Sequence, residues 1–141
     1  MYSLNHVGIA VFDVLAAAEE YRRLGFCVSQ VEEQKEHGVR VVFVQLENTC
    51  IELLEPLGEH SPIRQFLEKK GPGVHHIALG VQNLDRCLSG FLTQQIPLID
   101  TAPRLGAHEH RVAFMHPKAT SSRVLFEFCE PTQALLPGTN E

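Results

Sequence analysis

Residues 5–11 (NHVGIAV) and 75–81 (HHIALGV) align without a gap, at a shift of 70 positions along the chain. In both stretches large apolar residues alternate with small ones, and this period of two is typical of a β-strand. The repeat predicts a duplicated fold in which the first strand of each half carries a histidine.

The same register continues into a helix and three further strands. Asp13 aligns with Asn83, and both residue types are common helix N-caps. Apolar residues then recur at the i, i+3, i+4 and i+7 positions of an amphipathic helix in each copy. Later, residues 40–43 resemble 111–114, and residues 52–56 resemble 127–131. Each half therefore predicts the order strand, helix, strand, strand, strand, which is an α+β fold.

The predicted organisation is one domain over residues 1–131, made of two βαβββ modules at 3–57 and 73–131. A linker helix is predicted at 61–70, because Ser61 is a suitable N-cap, Pro62 suits the first turn and Gly71 is suited to end the helix. Residues 132–141 are polar and contain proline and glycine, so a disordered tail is expected there.

Composition narrows the class of protein. Hydrophobic residues make up 44% of the chain and charged residues 21%, a balance typical of globular proteins. The net charge of −5 gives no sign of nucleic-acid binding, and no apolar run is long enough to span a membrane. No pair of cysteines is spaced as CxxC, so reduced thiols in a cytoplasmic protein are expected. The cysteines are Cys27, Cys50, Cys87 and Cys129.

The duplicated positions include one histidine and one glutamate in each half. His6 aligns with His76, and Glu52 corresponds to Glu127. Both glutamates lie in apolar strands, where an unpaired carboxylate is costly to bury, and a shared cation would remove that cost. Taken singly, each residue is more simply a satisfied core or surface side chain. The repeat favours a metal site with open positions, whose mixed ligands suit Co, Mn, Fe, Ni or Zn.

The other histidines are weaker candidates. His75 alternates onto the side of its strand that faces the helices, and is interpreted as structural. His37 and His60 lie in polar, turn-like stretches and are interpreted as solvated. His116 ends a strand, from which it could reach the mouth of a pocket.

Seven short motifs, in this order between about residues 3 and 130, resemble methylmalonyl-CoA epimerase. Each motif is weak alone, and the ordered series is more specific. The motifs lie at 4–11 (LNHVGIAV), 37–39 (HGV), 52–57 (ELLEPL), 61–63 (SPI), 73–77 (GVHHI), 105–108 (LGAH) and 114–118 (FMHPK).

This resemblance implies the vicinal-oxygen-chelate fold, a curved mixed sheet of two βαβββ modules around a metal cleft. It implies a divalent ion, Co²⁺ first and Mn²⁺, Ni²⁺, Zn²⁺ or Fe²⁺ as alternatives, and a homodimer. The implied metal ligands are His6, Glu52 (Gln in some members), His76 and Glu127. The implied substrate-binding residues are Gly106, His116 and Lys118.

The implied activity is the interconversion of 2R and 2S methylmalonyl-CoA by proton transfer at carbon 2. Some members carry a glutamate base on the third strand, where this chain has Val41. Glu127 is the candidate acid or base in its place. Arg104, Arg111 and Lys118 are candidate contacts for the CoA phosphates, with solvated surface charge as the alternative interpretation.

Two other functions stay open, because one fold serves several reactions. One is another metalloenzyme of the glyoxalase superfamily, similar to lactoylglutathione lyase or to a dioxygenase. The other is a small-molecule-binding protein of the antibiotic-resistance type, which would bind its ligand without turnover.

Overall fold

The structure, a computed structural model, describes residues 1–131, so the predicted tail at 132–141 lies outside the described residues. Contacts divide the chain into two compact units. One comprises Leu4–Ala78, and the other comprises Met1–Ser3 together with the chain from Leu79 onwards. Most of the strand at 73–80, which the repeat assigns to the second module, therefore belongs to the first unit. The predicted division into modules at 3–57 and 73–131 stays a prediction.

Six strands and two helices form the first unit, apart from the few strand residues that fall in the other. They are β1 (Ser3–Ala10), α1 (Val14–Arg23), β2 (Cys27–Val28), β3 (Glu32–Gln34), β4 (Val39–Gln45), β5 (Cys50–Pro56), α2 (Pro62–Lys70) and β6 (Gly73–Gly80).

The described residues of the second unit form helix α3 (Leu84–Thr93) and strands β7 (Arg104–Leu105), β8 (Arg111–Met115) and β9 (Phe126–Glu130). The strand that the repeat predicts directly after α3 is reduced to one bridge between Leu98 and Met115, and Pro97 has no N–H for a ladder. Among the described residues, no helix is both long and apolar enough to cross a membrane.

The first unit holds a mixed sheet with the strand order β2-β4-β5-β1-β6, and β3 pairs with β4. β1 runs parallel to β5, whereas β4 runs antiparallel to β5. The second unit has the order β9-β8-β7, with antiparallel pairing of β8 to both neighbours.

The two faces of the first sheet are covered by different helices. Val14, Ala17 and Ala18 of α1 pack on one face, against a cluster of Val42, Val44 and Leu53. Ile63 and Leu67 of α2 pack on the other face, against Ala10, Val39, Val41 and Leu54. This alternation along β4 follows from the period of two in a strand. Helix α2 thus covers the Ala10 end of the β1 face that carries His6.

The predicted helix starts at Asp13 and Asn83 are confirmed. The Asp13 carboxylate accepts hydrogen bonds from Leu15 N and Ala16 N, at 3.0 and 3.1 Å. The Asn83 side chain accepts one from Arg86 N at 3.0 Å. These bonds satisfy N–H groups that have no partner within the helix.

Equivalent hydrogen bonds show that the sequence repeat is also a structural one. Val11 N donates to Leu54 O at 2.9 Å in the first unit, and Val81 N donates to Cys129 O at 2.8 Å in the second. Both join the residue after the first strand of a module to its last strand. The 70-residue shift at 5–11 and 75–81 therefore marks a true repeat of backbone structure.

A glutamate at the end of each last strand holds the first turn of the helix. Glu55 Oε1 accepts from Val14 N, and Glu130 Oε2 accepts from Leu84 N, both at 3.1 Å. A negative charge is favourable at a helix N-terminus. The same carboxylates bind an arginine of the neighbouring strand, Arg40 at 3.2 Å from Glu55 and Arg111 at 3.1 Å from Glu130.

Candidate metal centre

Three of the four predicted ligands meet within the first unit, on the adjacent strands β5, β1 and β6. His6 Nε2 lies 3.0 Å from His76 Nε2 and 2.7 Å from Glu52 Oε2. All three ligand atoms lie within 4.8 Å of one another. Both histidines are buried. Because β1 lies between β5 and β6, side chains from three strands converge on one point.

The spacing of these atoms fits a divalent cation. Two ligand atoms about 2.1 Å from an ion, and at right angles to each other, lie about 3 Å apart. The 3.0 Å between the two histidine nitrogens is close to this value, and the 2.7 Å between His6 Nε2 and Glu52 Oε2 is somewhat shorter. Two imidazoles and a carboxylate form a mixed nitrogen and oxygen set, which suits several first-row divalent ions.

The electrostatic environment keeps His76 in the form that binds a metal. Burial, and then the neighbouring His6 and His75, lower the pKa of His76 to about 3. The ring is therefore neutral at pH 7, and an ion would not have to displace a proton from it. Burial, and then Lys70, also lower the pKa of His75.

Two side chains that the sequence pattern does not indicate as partners also contact the ligands. Asn5 Oδ1 lies 2.8 Å from His6 Nδ1, and His75 Nδ1 lies 2.9 Å from His76 Nδ1. Strand alternation directed His75 towards the helices, and its ring does contact Phe66 of α2. The contact between His75 and His76 could have been predicted only from the repeat, since His75 occupies the same repeat position as Asn5.

Gly8 makes room for the ring of His76. A Cβ atom at Gly8 would lie 2.5 Å from His76 Nδ1 and 2.8 Å from Nε2, distances too short for a normal contact. The structure shows that glycine is required by the close approach of an imidazole.

Comparison with known proteins identifies the family of this chain. Residues 5–114 match the family described as the Glyoxalase/Bleomycin resistance protein/Dioxygenase superfamily. The mitochondrial methylmalonyl-CoA epimerase of Dictyostelium discoideum is 45% identical over 130 residues, which cover 90% of this chain and 77% of the relative. The chain belongs to the methylmalonyl-CoA epimerase family of this superfamily.

Two further proteins support the assignment. An ethylmalonyl-CoA/methylmalonyl-CoA epimerase from Cereibacter sphaeroides is 45% identical over 118 residues, which cover 82% of this chain and 88% of the relative. A solved methylmalonyl-CoA epimerase in complex with methylmalonyl-CoA and NH4+ has a TM-score of 0.83 and 33% identity, with coverage of 92% and 94% of the two chains. The predicted fold class and the resemblance to this epimerase family are confirmed.

The fourth predicted ligand of the epimerase site, Glu127, lies on β9 in the second unit. It stands opposite Phe114 on β8, as Glu52 stands opposite Phe43 on β4. Its Oε2 accepts a hydrogen bond from the Cys129 thiol at 3.1 Å. The two glutamates are thus equivalent in strand register, and the role of Glu127 stays a prediction.

The predicted substrate-binding residues lie at opposite ends of β8. Gly106 precedes the strand, and its N–H donates to His110 O at 2.8 Å. His116 follows the strand, and its Nδ1 accepts from Lys118 N at 3.2 Å. Five strand residues span roughly 17 Å. A ligand that contacts both ends would have to be extended, and the role of these residues stays a prediction.

Two of the proposed contacts for CoA phosphates have partners within the second unit. Arg111 Nη2 lies 2.8 Å from Asp85, in addition to its bond to Glu130. Arg104 Nε lies 3.2 Å from Asp100, and its guanidinium lies 5.2 Å from the centroid of Phe114. These contacts favour a structural role for both arginines over phosphate binding.

We expect Gly8→Ala to displace the His76 ring and to weaken metal binding. Overpacking of this kind costs about 1–3 kcal/mol of unfolding free energy, and the displaced Nε2 of His76 would no longer face His6 Nε2. Urea unfolding and calorimetric titration with Co²⁺ measure the two effects.

Gly90→Ala is the matched control. Gly90 lies in α3, where an added Cβ would meet nothing within 4 Å. Alanine is the better helix former by about 1 kcal/mol, so this variant should be at least as stable as wild type and bind Co²⁺ equally well. Equal Co²⁺ affinity of the Gly8→Ala variant would contradict the position of His76 beside Gly8.

Proposed function

We propose that this protein is a methylmalonyl-CoA epimerase, which interconverts the 2R and 2S forms of its substrate with the help of a divalent ion. The observation that carries the proposal is the convergence of His6, Glu52 and His76 in a chain of this family. This chain is 45% identical to each of two named epimerases, which favours this reaction over a lyase, a dioxygenase or a binding protein.

The reaction removes a proton from carbon 2 and returns one to the opposite face. The barrier is the formation of a carbanion, whose charge spreads onto the thioester oxygen. A divalent ion at this site supplies a Lewis acid that stabilises such charge. His6 and His76 would hold the ion as neutral imidazoles, which do not reduce its positive charge, whereas the carboxylate of Glu52 would neutralise part of it.

The proton acceptor has to lie elsewhere than at position 41. Val41 is 1% exposed and packs with Val39, Leu54 and Ile63. This cluster of buried apolar residues contains no carboxylate that could accept the proton. A buried carboxylate at position 41 would itself be costly without a partner.

We propose Glu127 as the fourth ligand and as one acid or base of the reaction. Two features support this role. The residue is the repeat equivalent of Glu52 in strand register, and a carboxylate can accept and return a proton within the range of general acid–base catalysis.

The preferred ion is proposed to be Co²⁺, with Mn²⁺, Ni²⁺, Zn²⁺ and Fe²⁺ as alternatives, since the donor set alone does not select among them. Gly106, His116 and Lys118 are proposed to contact the acyl-CoA. An acyl-CoA is an extended molecule, as the spacing along β8 requires.

The proposed location is the cytoplasm and the proposed assembly a homodimer. Location is supported by the four cysteines, which are all free thiols; such thiols are typical of reducing compartments. The homodimer rests on the resemblance to the family.

Activity is tested by incubating the protein and (2R)-methylmalonyl-CoA in deuterated water. We expect deuterium at carbon 2 and formation of the 2S form, both dependent on added divalent ion. Mass spectrometry and chiral analysis measure the two products. If none of the five ions supports exchange, the epimerase proposal is wrong.

The ligand set is tested by two variants. His76→Ala should lose stoichiometric Co²⁺ in elemental analysis, because a buried ligand is removed, while His60→Ala, at an exposed position, should retain it. Glu127→Gln should lower the rate of deuterium exchange by roughly 100-fold or more, since a general acid or base contributes at least that much. Unchanged metal content in His76→Ala, or unchanged exchange in Glu127→Gln, would reject the corresponding role.

A further inference from the structure

Each histidine of the candidate metal centre contacts the side chain of the residue immediately before it. In β1, Asn5 Oδ1 lies 2.8 Å from His6 Nδ1. In β6, His75 Nδ1 lies 2.9 Å from His76 Nδ1. The 70-residue shift superimposes the two pairs. Two different residue types thus make the same contact, to the same ring nitrogen, at one position of the repeat.

The contact to His6 suits one tautomer. An amide oxygen only accepts hydrogen bonds, so a neutral ring that donates to Asn5 carries its proton on Nδ1 and leaves the lone pair of Nε2 for an ion. Nε2 is the atom that faces His76 and Glu52, at 3.0 and 2.7 Å. Asn5 itself is held by Thr49, whose hydroxyl donates to Asn5 O at 2.9 Å.

The contact to His76 selects the same tautomer when His75 accepts. Of two facing Nδ1 atoms, one donates and the other accepts. His76 can offer the lone pair of Nε2 to an ion only if its Nδ1 carries the proton. His75 Nδ1 then has to be the acceptor, as Asn5 Oδ1 is in the first half.

The connecting helix α2 fixes the ring of His75. Phe66 of α2 meets this ring edge to face, with centroids 5.1 Å apart and an interplanar angle of 81°. Lys70, at the end of the same helix, lies 5.6 Å from the centroid of Phe66. The orientation of His76 therefore depends on a ring that is packed against the helix joining the two repeats.

We propose that Asn5 and His75 are positioning residues, which accept a hydrogen bond from the metal-binding histidine that follows them and thereby aim its Nε2 at the ion. The inference rests on the proposed metal centre. Outer contacts of this kind contribute 10–100-fold to metal affinity, so their loss should weaken binding without abolishing it.

Exchange of residues across the repeat tests this proposal. His75→Asn and Asn5→His keep an acceptor at each position, and should bind Co²⁺ with an affinity close to that of wild type. His75→Phe keeps the ring contact with Phe66 but lacks the acceptor, and Asn5→Leu also lacks it. Both should bind Co²⁺ roughly 10–100-fold more weakly. Calorimetric titration measures affinity, and His60→Leu is the surface control.

The visible absorption of bound Co²⁺ provides the second measurement. At saturating metal, the positioning variants should show the wild-type bands, since every ligand is still present, whereas His76→Ala should not. A packing role for His75 predicts the reverse order of affinities, with His75→Phe normal and His75→Asn weak, and that result would overturn the proposal. Circular dichroism and urea unfolding establish that each variant is folded. If a His75 variant fails to fold, the Co²⁺ affinities of Asn5→His and Asn5→Leu decide whether the positioning role is correct.

The measurements separate a wrong positioning role for Asn5 and His75 from a wrong assignment of the metal centre. If wild type binds one Co²⁺ and His76→Ala binds none, the centre stands. Wild-type affinity of both His75→Phe and Asn5→Leu would then overturn the positioning role alone. Absence of Co²⁺ binding by wild type would overturn the centre and the positioning role together.

Discussion

The convergence of two imidazole nitrogens and one carboxylate oxygen inside a sheet is the constraint on which the rest of the site depends. His6, Glu52 and His76 place these atoms 2.7–3.0 Å apart along the two contacts that His6 makes. If both rings carry their protons on Nδ1, the three atoms are all acceptors and their lone pairs repel. The partly buried carboxylate of Glu52 adds a desolvation cost that hydrogen bonds alone would have to offset. A divalent cation removes both costs, and the contacts of Gly8, Asn5 and His75 all serve the same arrangement.

Much of the fold was predictable because the repeat supplied two copies of each signal. The helices starting after Asp13 and Asn83, and the strands carrying His6 and His76, followed from periodicity and register. The metal ligands were predictable for the same reason. One histidine in a strand does not indicate a metal site, whereas two histidines at equivalent positions of a repeat favour one. The structure brings three of the four predicted ligands together within one unit.

The parts that were not predictable depend on distances between side chains. Alternation directs Asn5 and His75 away from the face of the residue that follows, and yet both reach its Nδ1. The resemblance assigns both Gly106 and His116 to substrate binding, whereas the structure places them at opposite ends of β8. Arg111 is bound by Asp85 and Glu130, partners that no local pattern in the sequence indicates. In each case the sequence names the residue type but not its partner.

The two halves share their framework and differ around the ligands. Glu55 and Glu130 hold equivalent helix starts, whereas Asn5 is replaced by His75 and Gly8 by Ala78. Position 8 needs glycine because a Cβ atom there would lie 2.5 Å from His76 Nδ1. Duplication therefore explains the framework, and divergence at a few positions explains how two like strands form one site.

Anomalous X-ray scattering from crystals grown with Co²⁺, recorded on both sides of the cobalt absorption edge, tests the central claim most directly. The account predicts one strong peak within about 2.2 Å of His6 Nε2, His76 Nε2 and a Glu52 oxygen. A peak elsewhere, or direct hydrogen bonds among these three side chains with no ion between them at saturating Co²⁺, would contradict it.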